Sequence, residues 1–165
     1  MGKVILKRFG KQNINQKWIE WINDVDTNRH SERKHFKHTI FTQKKWFDIQ
    51  NKEGNLIFGI FYNNIHVGII DIKLISKIHK NCEIGYFIGN KNNWGKGIAT
   101  KAIKLVSLYI KDKLKLKKII AHTYKNNIGS QKVLLKNKFE QEGELKNFYQ
   151  LKNKRLSKVY FGKNL

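Results

Sequence analysis

Between Gly89 and Thr100 the chain reads Gly-Asn-Lys-Asn-Asn-Trp-Gly-Lys-Gly-Ile-Ala-Thr, and this loop holds residue types that meet phosphate. Gly95, Gly97 and the small Ala99 let backbone come close to a ligand. The apolar stripe that follows predicts a helix, whose first N–H groups are free and whose positive dipole end faces the loop. Lys96 and Lys101 add charge. Taken alone, the loop reads either as an anion site or as a tight turn into a helix. Two phosphate motifs are excluded. A Walker loop needs Lys and then Ser or Thr after its last glycine, and Gly97 is followed by Ile98. A dinucleotide fingerprint needs three glycines in its own spacing near the start of the fold, with an acid about twenty residues on.

Such a loop needs a strand to feed it and a helix to receive it. Lys3 to Phe9 reads as an opening strand, and Ile14, Trp18 and Ile22 recur at helical spacing, predicting a helix over 14–24. The stretch 25–41 is polar and rich in His and Arg, and Thr42 is the expected cap of a second helix carrying Trp46, Phe47 and Ile49. Leu56 to Tyr62 and Ile65 to Ile75 read as a hairpin, because Asn63-Asn64 tolerates the positive φ of a tight turn. Asn81 to Gly89 is a strand, and Ile98, Ala102, Leu105, Val106 and Tyr109 form the helical stripe after the loop. Lys117 to Tyr124 is a strand, 127–138 a helix, and Phe139 to Tyr149 and Leu156 to Gly162 are closing strands. The order βααβββαβαββ is that of a mixed α/β sheet. A strand–helix–strand crossover in its middle makes the flanking strands parallel.

Several short sequences in this order resemble the GNAT N-acetyltransferase superfamily. Its pyrophosphate signature, Gln/Arg-x-x-Gly-x-Gly/Ala, is met by Gly97 and Ala99, with Trp94 in the Gln/Arg place. Trp94-Gly95-Lys96-Gly97-Ile98-Ala99-Thr100 is similar to the version in the ribosomal-protein N-terminal acetyltransferases and their relatives. Trp21-Ile22-Asn23-Asp24, Val67-Gly68, Glu83-Ile84-Gly85-Tyr86, Asn127-Ile128-Gly129-Ser130, and Phe139 with Glu142-Gly143 resemble further pieces of that branch. Lys138 replaces the glycine usual before Phe139.

The resemblance implies a GNAT fold in which the parallel fourth and fifth strands splay apart and acetyl-coenzyme A enters the gap as co-substrate. It implies cofactor contacts from Phe87, Ile88 and Gly89, from Gly95, Lys96, Gly97, Ile98, Ala99 and Thr100, and from Asn127, which reads equally as a helix cap. Transfer to an amine needs a proton acceptor and a donor for the departing thiolate. Glu83, 14 residues before Gly97, matches the catalytic glutamate of the histone-acetylating branch, and burial is expected to raise its pKa. The usual tyrosine acid falls at Leu134, so Ser130 takes its place, as the related N-terminal acetyltransferases imply. Arg29 and Arg33, with Lys34, His30, His35 and His38, lie in the segment that relatives place at the acceptor cleft. His122 is a further acceptor-side candidate. Cys82 points away from Glu83 by strand alternation and reads as a buried residue.

Bulk properties bound the rest. The 165 residues suit one domain, 1–165, and one cysteine allows neither an intramolecular disulfide nor a multi-cysteine zinc site. The histidine spacing matches no metal pattern, and no metal is expected. The single cysteine suits the cytoplasm, and neither a signal-peptide core in Met1 to Arg8 nor a run of membrane-span length is expected. The net charge of +22 fits either AT-rich coding bias or an anionic partner. A nucleic-acid module without enzymatic activity is the rival class, yet no helix-turn-helix, zinc-finger or RNA-binding motif appears. Within the acetyltransferase reading, a nucleotide-linked amino sugar is the favoured acceptor because Arg29 and Arg33 suit a pyrophosphate. A protein N-terminus is the alternative. Polyamines and antibiotics are further options, and a cationic polyamine requires a locally acidic pocket. A homodimer is left open.

Overall fold

The computed structural model describes residues 2–165. Its elements are β1 (Val4–Arg8), α1 (Gln16–Asn23), α2 (Ile40–Lys52), β2 (Leu56–Tyr62), β3 (Ile65–Ser76), β4 (Asn81–Ile88), α3 (Ile98–Asp112), β5 (Lys118–Tyr124), α4 (Ile128–Lys136), β6 (Glu140–Leu151) and β7 (Lys154–Asn164). Short 3-10 turns sit at Lys11–Asn13, Glu32–His35 and Lys91–Asn93. The order βααβββαβαββ is therefore observed.

Local chemistry sets most boundaries. Asn15 caps α1 by accepting a hydrogen bond from the Trp18 backbone N–H at 3.0 Å. The cap of α2 is Thr39, not Thr42. Thr42 is the reciprocal partner three residues on, its hydroxyl accepting from the Thr39 N–H at 2.9 Å. Asn63 and Asn64 take φ 49° and 65°, the left-handed pair that closes the β2–β3 hairpin.

The seven strands form one sheet in the order β1-β2-β3-β4-β5-β7-β6. All neighbours are antiparallel except β4 and β5, which pair in parallel only from Asn81–Glu83 to Lys118–Ile120. Beyond Glu83 and Ile120 the two strands part. The remainder of β4, from Ile84 to Ile88, is left without a β5 partner, and this splay opens the cleft.

One core cluster joins the sheet to α3 and α4 and includes Ile60, Ile70, Cys82, Ile103, Val106, Ile110, Ile119, Leu134 and Phe161. The other gathers Phe9, Trp18, Trp21, Ile22, Phe47, Ile57 and Ile69, largely from α1 and α2. Burying so much apolar area is the main force holding both helical layers on the sheet. The stripe expected on α3 is rotated. Ile103 and Ile110 are fully buried, whereas Leu105 is 38% exposed. Apolar residues occupy both sides of this helix, and packing against the sheet decides which side is inward.

Candidate functional site

A cleft of about 790 Å³ runs through the β4–β5 gap. Gly95, Gly97, Ile98, Ala99 and Thr100 line one end, and Arg29, Arg33, Asp71, Glu83 and His122 are also on its wall. The loop end is built for an anion. Gly95 and Gly97 hold φ +75° and +70°, in the left-handed region that glycine tolerates. Gly97 is itself the N-cap of α3 and supplies no side-chain cap, so the first N–H groups of the helix stay open. Trp94, in the position of the signature's Gln or Arg, folds back and donates its indole N–H to the Ile88 carbonyl at 2.7 Å. It therefore braces the loop against β4.

Not every expected cofactor residue reaches the cleft. Phe87 and Ile88 line it, but Lys96 and Gly89 do not. The Gly89 N–H bonds to the Val67 carbonyl at 2.8 Å, and a side chain there would strike the Trp21 ring, so packing accounts for that glycine. Lys101 reaches the Gly2 carbonyl at 3.2 Å. Lys132 and Lys136 on α4 line the cleft and were not singled out from sequence. Their spacing of one helical turn was a signal available there. Asn127 is the cap of α4: its Oδ1 accepts from the Ser130 N–H at 3.2 Å, while its Nδ2 donates to Thr123 Oγ1 at 3.0 Å.

Two candidates assigned to different roles meet. The Nδ1 of His122 on β5 contacts the Glu83 carboxylate on β4, at the end of the parallel ladder. Facing a carboxylate, Nδ1 is the donor, which leaves Nε2 as the ring nitrogen able to exchange a proton. Burial was expected to raise the Glu83 pKa. It is instead lowered, chiefly by this hydrogen bond, with burial opposing. Glu83 is thus a settled carboxylate that orients an imidazole.

Ser130 also has an unforeseen partner. Its hydroxyl lies 2.8 Å from that of Tyr86, whose pKa burial pushes up to about 12. A phenol so shifted keeps its proton at neutral pH. Sequence had shown Tyr86 only as part of a family string.

On the acceptor side, Arg33 stacks its guanidinium over Phe87, Cζ to centroid 4.8 Å. Arg29 is tied to Asp26 at 2.7 Å. His38 bonds the Arg33 carbonyl and Gln43, and His35 lies 3.7 Å from Glu32. Tyr124 stacks on Tyr149 at 3.8 Å, its hydroxyl bonded to Glu32 and Lys34. Cys82 is fully buried on the opposite face, its thiol pushed up to about 12 by desolvation. Asp26, Glu32, Asp71 and Glu83 all line the cleft. They are four of only 12 acidic residues in the chain, so the cleft is far less basic than the surface. Among the described residues, no group of His, Cys, Asp and Glu is placed to hold a metal, and no helix is long and apolar enough to cross a membrane.

Comparison with known proteins follows the same lines. The acetyltransferase (GNAT) domain family matches residues 3–140. A probable N-acetyltransferase of Bacillus subtilis (strain 168), YjcK, is 37% identical over 95 residues, covering 56% of this chain and 52% of that protein. The chain spans about half the length of the curated relatives it matches. RimL, a ribosomal L7/L12 alpha-N-protein acetyltransferase solved with coenzyme A, superposes with a TM-score of 0.87 at 15% identity, covering 98% and 94% of the two chains. A spermidine N-acetyltransferase from Vibrio cholerae, solved with coenzyme A and spermine, gives 0.86 at 16% identity, covering 98% and 95%. At these identities the two structures speak for the fold.

Proposed function

The chain belongs to the GNAT acetyltransferase family, and from that premise we propose that residues 1–165 act as one domain that moves an acetyl group from acetyl-coenzyme A directly to a primary amine. The observation that carries this reading is the cleft joining the open α3 N-terminus to the Glu83–His122 pair. The pyrophosphate of the cofactor sits on the N–H groups of Gly97 to Thr100, with Lys132 and Lys136 as nearby positive charge. Its pantetheine arm follows the unpaired stretch of β4.

The ammonium of the acceptor gives one proton to His122 Nε2, with Glu83 stabilising the imidazolium. The neutral nitrogen attacks the thioester carbonyl, the carbon–sulfur bond breaks as the thiolate takes a proton from the Ser130–Tyr86 hydroxyl pair, and the second proton lost by the nitrogen on amide formation returns to that pair. The products are the acetamide and coenzyme A, and one proton is released overall.

The acceptor is the finer question. A nucleotide-linked amino sugar rests on the arginines, of which Arg33 is unpaired in the cleft while Arg29 is held by Asp26. A protein N-terminus or a polyamine is favoured by the four cleft acids. A cytoplasmic setting belongs to the same proposal.

A thermal-shift assay separates this function from a nucleic-acid module. Acetyl-coenzyme A at about 100 times its Kd adds about 2.7 kcal/mol. For a chain of this size that raises Tm by about 5–10 °C. RNA should not reproduce the shift. A shift with RNA and none with acetyl-coenzyme A would reverse the assignment.

A further inference from the structure

Two groups of opposite charge line the cleft without touching: among the described residues Asp71 and Arg33 make no ion pair, and they act on each other only through space. Asp71, on β3, is 9% exposed and faces the cleft. It is the register partner of Gly85 on β4, and a Cβ built on Gly85 would come within 2.8 Å of its Oδ1. The carboxylate therefore packs against the bare Cα of Gly85, in the space that a side chain there would take. Two pairs further along, Ile69 faces Phe87, and over that ring sits Arg33. Among the described residues neither Asp71 nor Arg33 forms a salt bridge, and Asp71 hydrogen-bonds only its own backbone. The Arg33 side chain is only partly covered, yet its guanidinium is desolvated enough to lower its pKa. An unpaired buried charge is costly, so folding alone would not favour leaving two of them apart.

We propose that the acceptor carries both charges itself: its ammonium meets Asp71 from the cleft, and an acidic group of the same molecule lies on Arg33. This rests on the acetyltransferase reading and narrows its substrate. The shared chemistry is a compact amine–acid, whose anion is either the carboxylate of an amino acid or the phosphate of an amino-sugar nucleotide. A guanidinium fork takes either one through two hydrogen bonds. The Glu83–His122 pair lies near Asp71, since Glu83 is two residues from Gly85, the register partner of Asp71, on the same face of β4. A polyamine would leave Arg33 facing like charge.

The test uses the whole chain and acetyl-coenzyme A. Acceptors are α-amino acids, their carboxamides, an aminodeoxyhexose nucleotide and spermidine. One or both amine–acid classes should be turned over with kcat/KM at least about tenfold above the carboxamides and spermidine, a difference of about 1.4 kcal/mol. Arg33→Met should abolish that preference through KM, and Arg33→Lys should restore part of it. Carboxamides or spermidine served as well as the acids would overturn the proposal while leaving the acetyltransferase reading intact. No thermal shift with acetyl-coenzyme A would overturn both.

Stability gives a readout independent of turnover. Burial raises the pKa of Asp71 from 3.8 to about 6, against the pull of Arg33 and Lys73 and with the help of Glu83. The folded state then binds a proton that the unfolded state releases, so stability falls as pH rises between those values and stays lower above them. Asp71→Asn should raise Tm by several degrees near about pH 7.5, with the gain vanishing toward about pH 4. A loss of stability at neutral pH would mean that the protein already partners the carboxylate, and the proposal would fail.

Discussion

Glu83→Gln is expected to lower kcat by about 10²–10⁴-fold, because the proton acceptor His122 loses the charge that stabilises its protonated form. The amide still accepts the His122 Nδ1 proton, so the loss isolates the missing charge. His122→Ala gives a similar loss, and the double variant is little worse than either, because residues acting as one unit are not additive. The pH–rate profile carries the second half of this result. In the wild type, activity falls on the acidic side as the pair gains its proton, and that limb belongs to the two groups together. His122 holds the Glu83 carboxyl below its ordinary range, so the limb reports the imidazole with its counter-ion. Glu83→Gln should alter this limb, since the carboxylate that His122 holds in its charged form is gone. An unchanged limb and unchanged kcat would hand the proton to water. Ser130→Ala should slow turnover with little change in acetyl-coenzyme A affinity. A loss confined to affinity would make Ser130 a binding residue.

Gly97→Val is expected to weaken acetyl-coenzyme A binding at least about a hundredfold, near 2.7 kcal/mol. Two effects combine. A side chain on the N-cap covers N–H groups that the pyrophosphate needs. The left-handed φ of +70° also costs an L-residue about 1–2 kcal/mol, so α3 begins in a different place. The fold should persist, because α3 is anchored by Ala102, Ile103, Val106 and Ile110 within a large core cluster. Circular dichroism checks the fold and isothermal titration the affinity. Equal affinity in wild type and variant would remove the loop from the site.

The order of elements and the glycine loop were legible in the sequence because both are local. Asn63-Asn64 needs positive φ, and Gly95 and Gly97 need it as well, whatever surrounds them. What escaped depends on contacts between distant residues. Glu83 and His122 are separate candidates until the β4–β5 ladder places Glu83 beside Ile120 and brings the imidazole to its carboxylate. The same contact reverses the expected shift of Glu83. Tyr86 and Ser130 lie far apart in sequence, and only the packing of α4 near β4 joins their hydroxyls. Asp71 had no signal of its own, since an acid within an apolar strand reads as an exception until its cover is known. The face of α3 was misread at Leu105 because apolar residues surround that helix on more than one side.

Acetyl transfer itself is tested most directly by mixing the purified chain with acetyl-coenzyme A and a panel of primary amines. Free thiol is followed with time, and the amine is analysed by mass spectrometry. The account predicts thiol release that depends on an amine, matches the N-acetylated product in amount, and falls sharply in Glu83→Gln and Gly97→Val. Thiol release indifferent to the amine, with no acetylated product from any member of the panel, would contradict it.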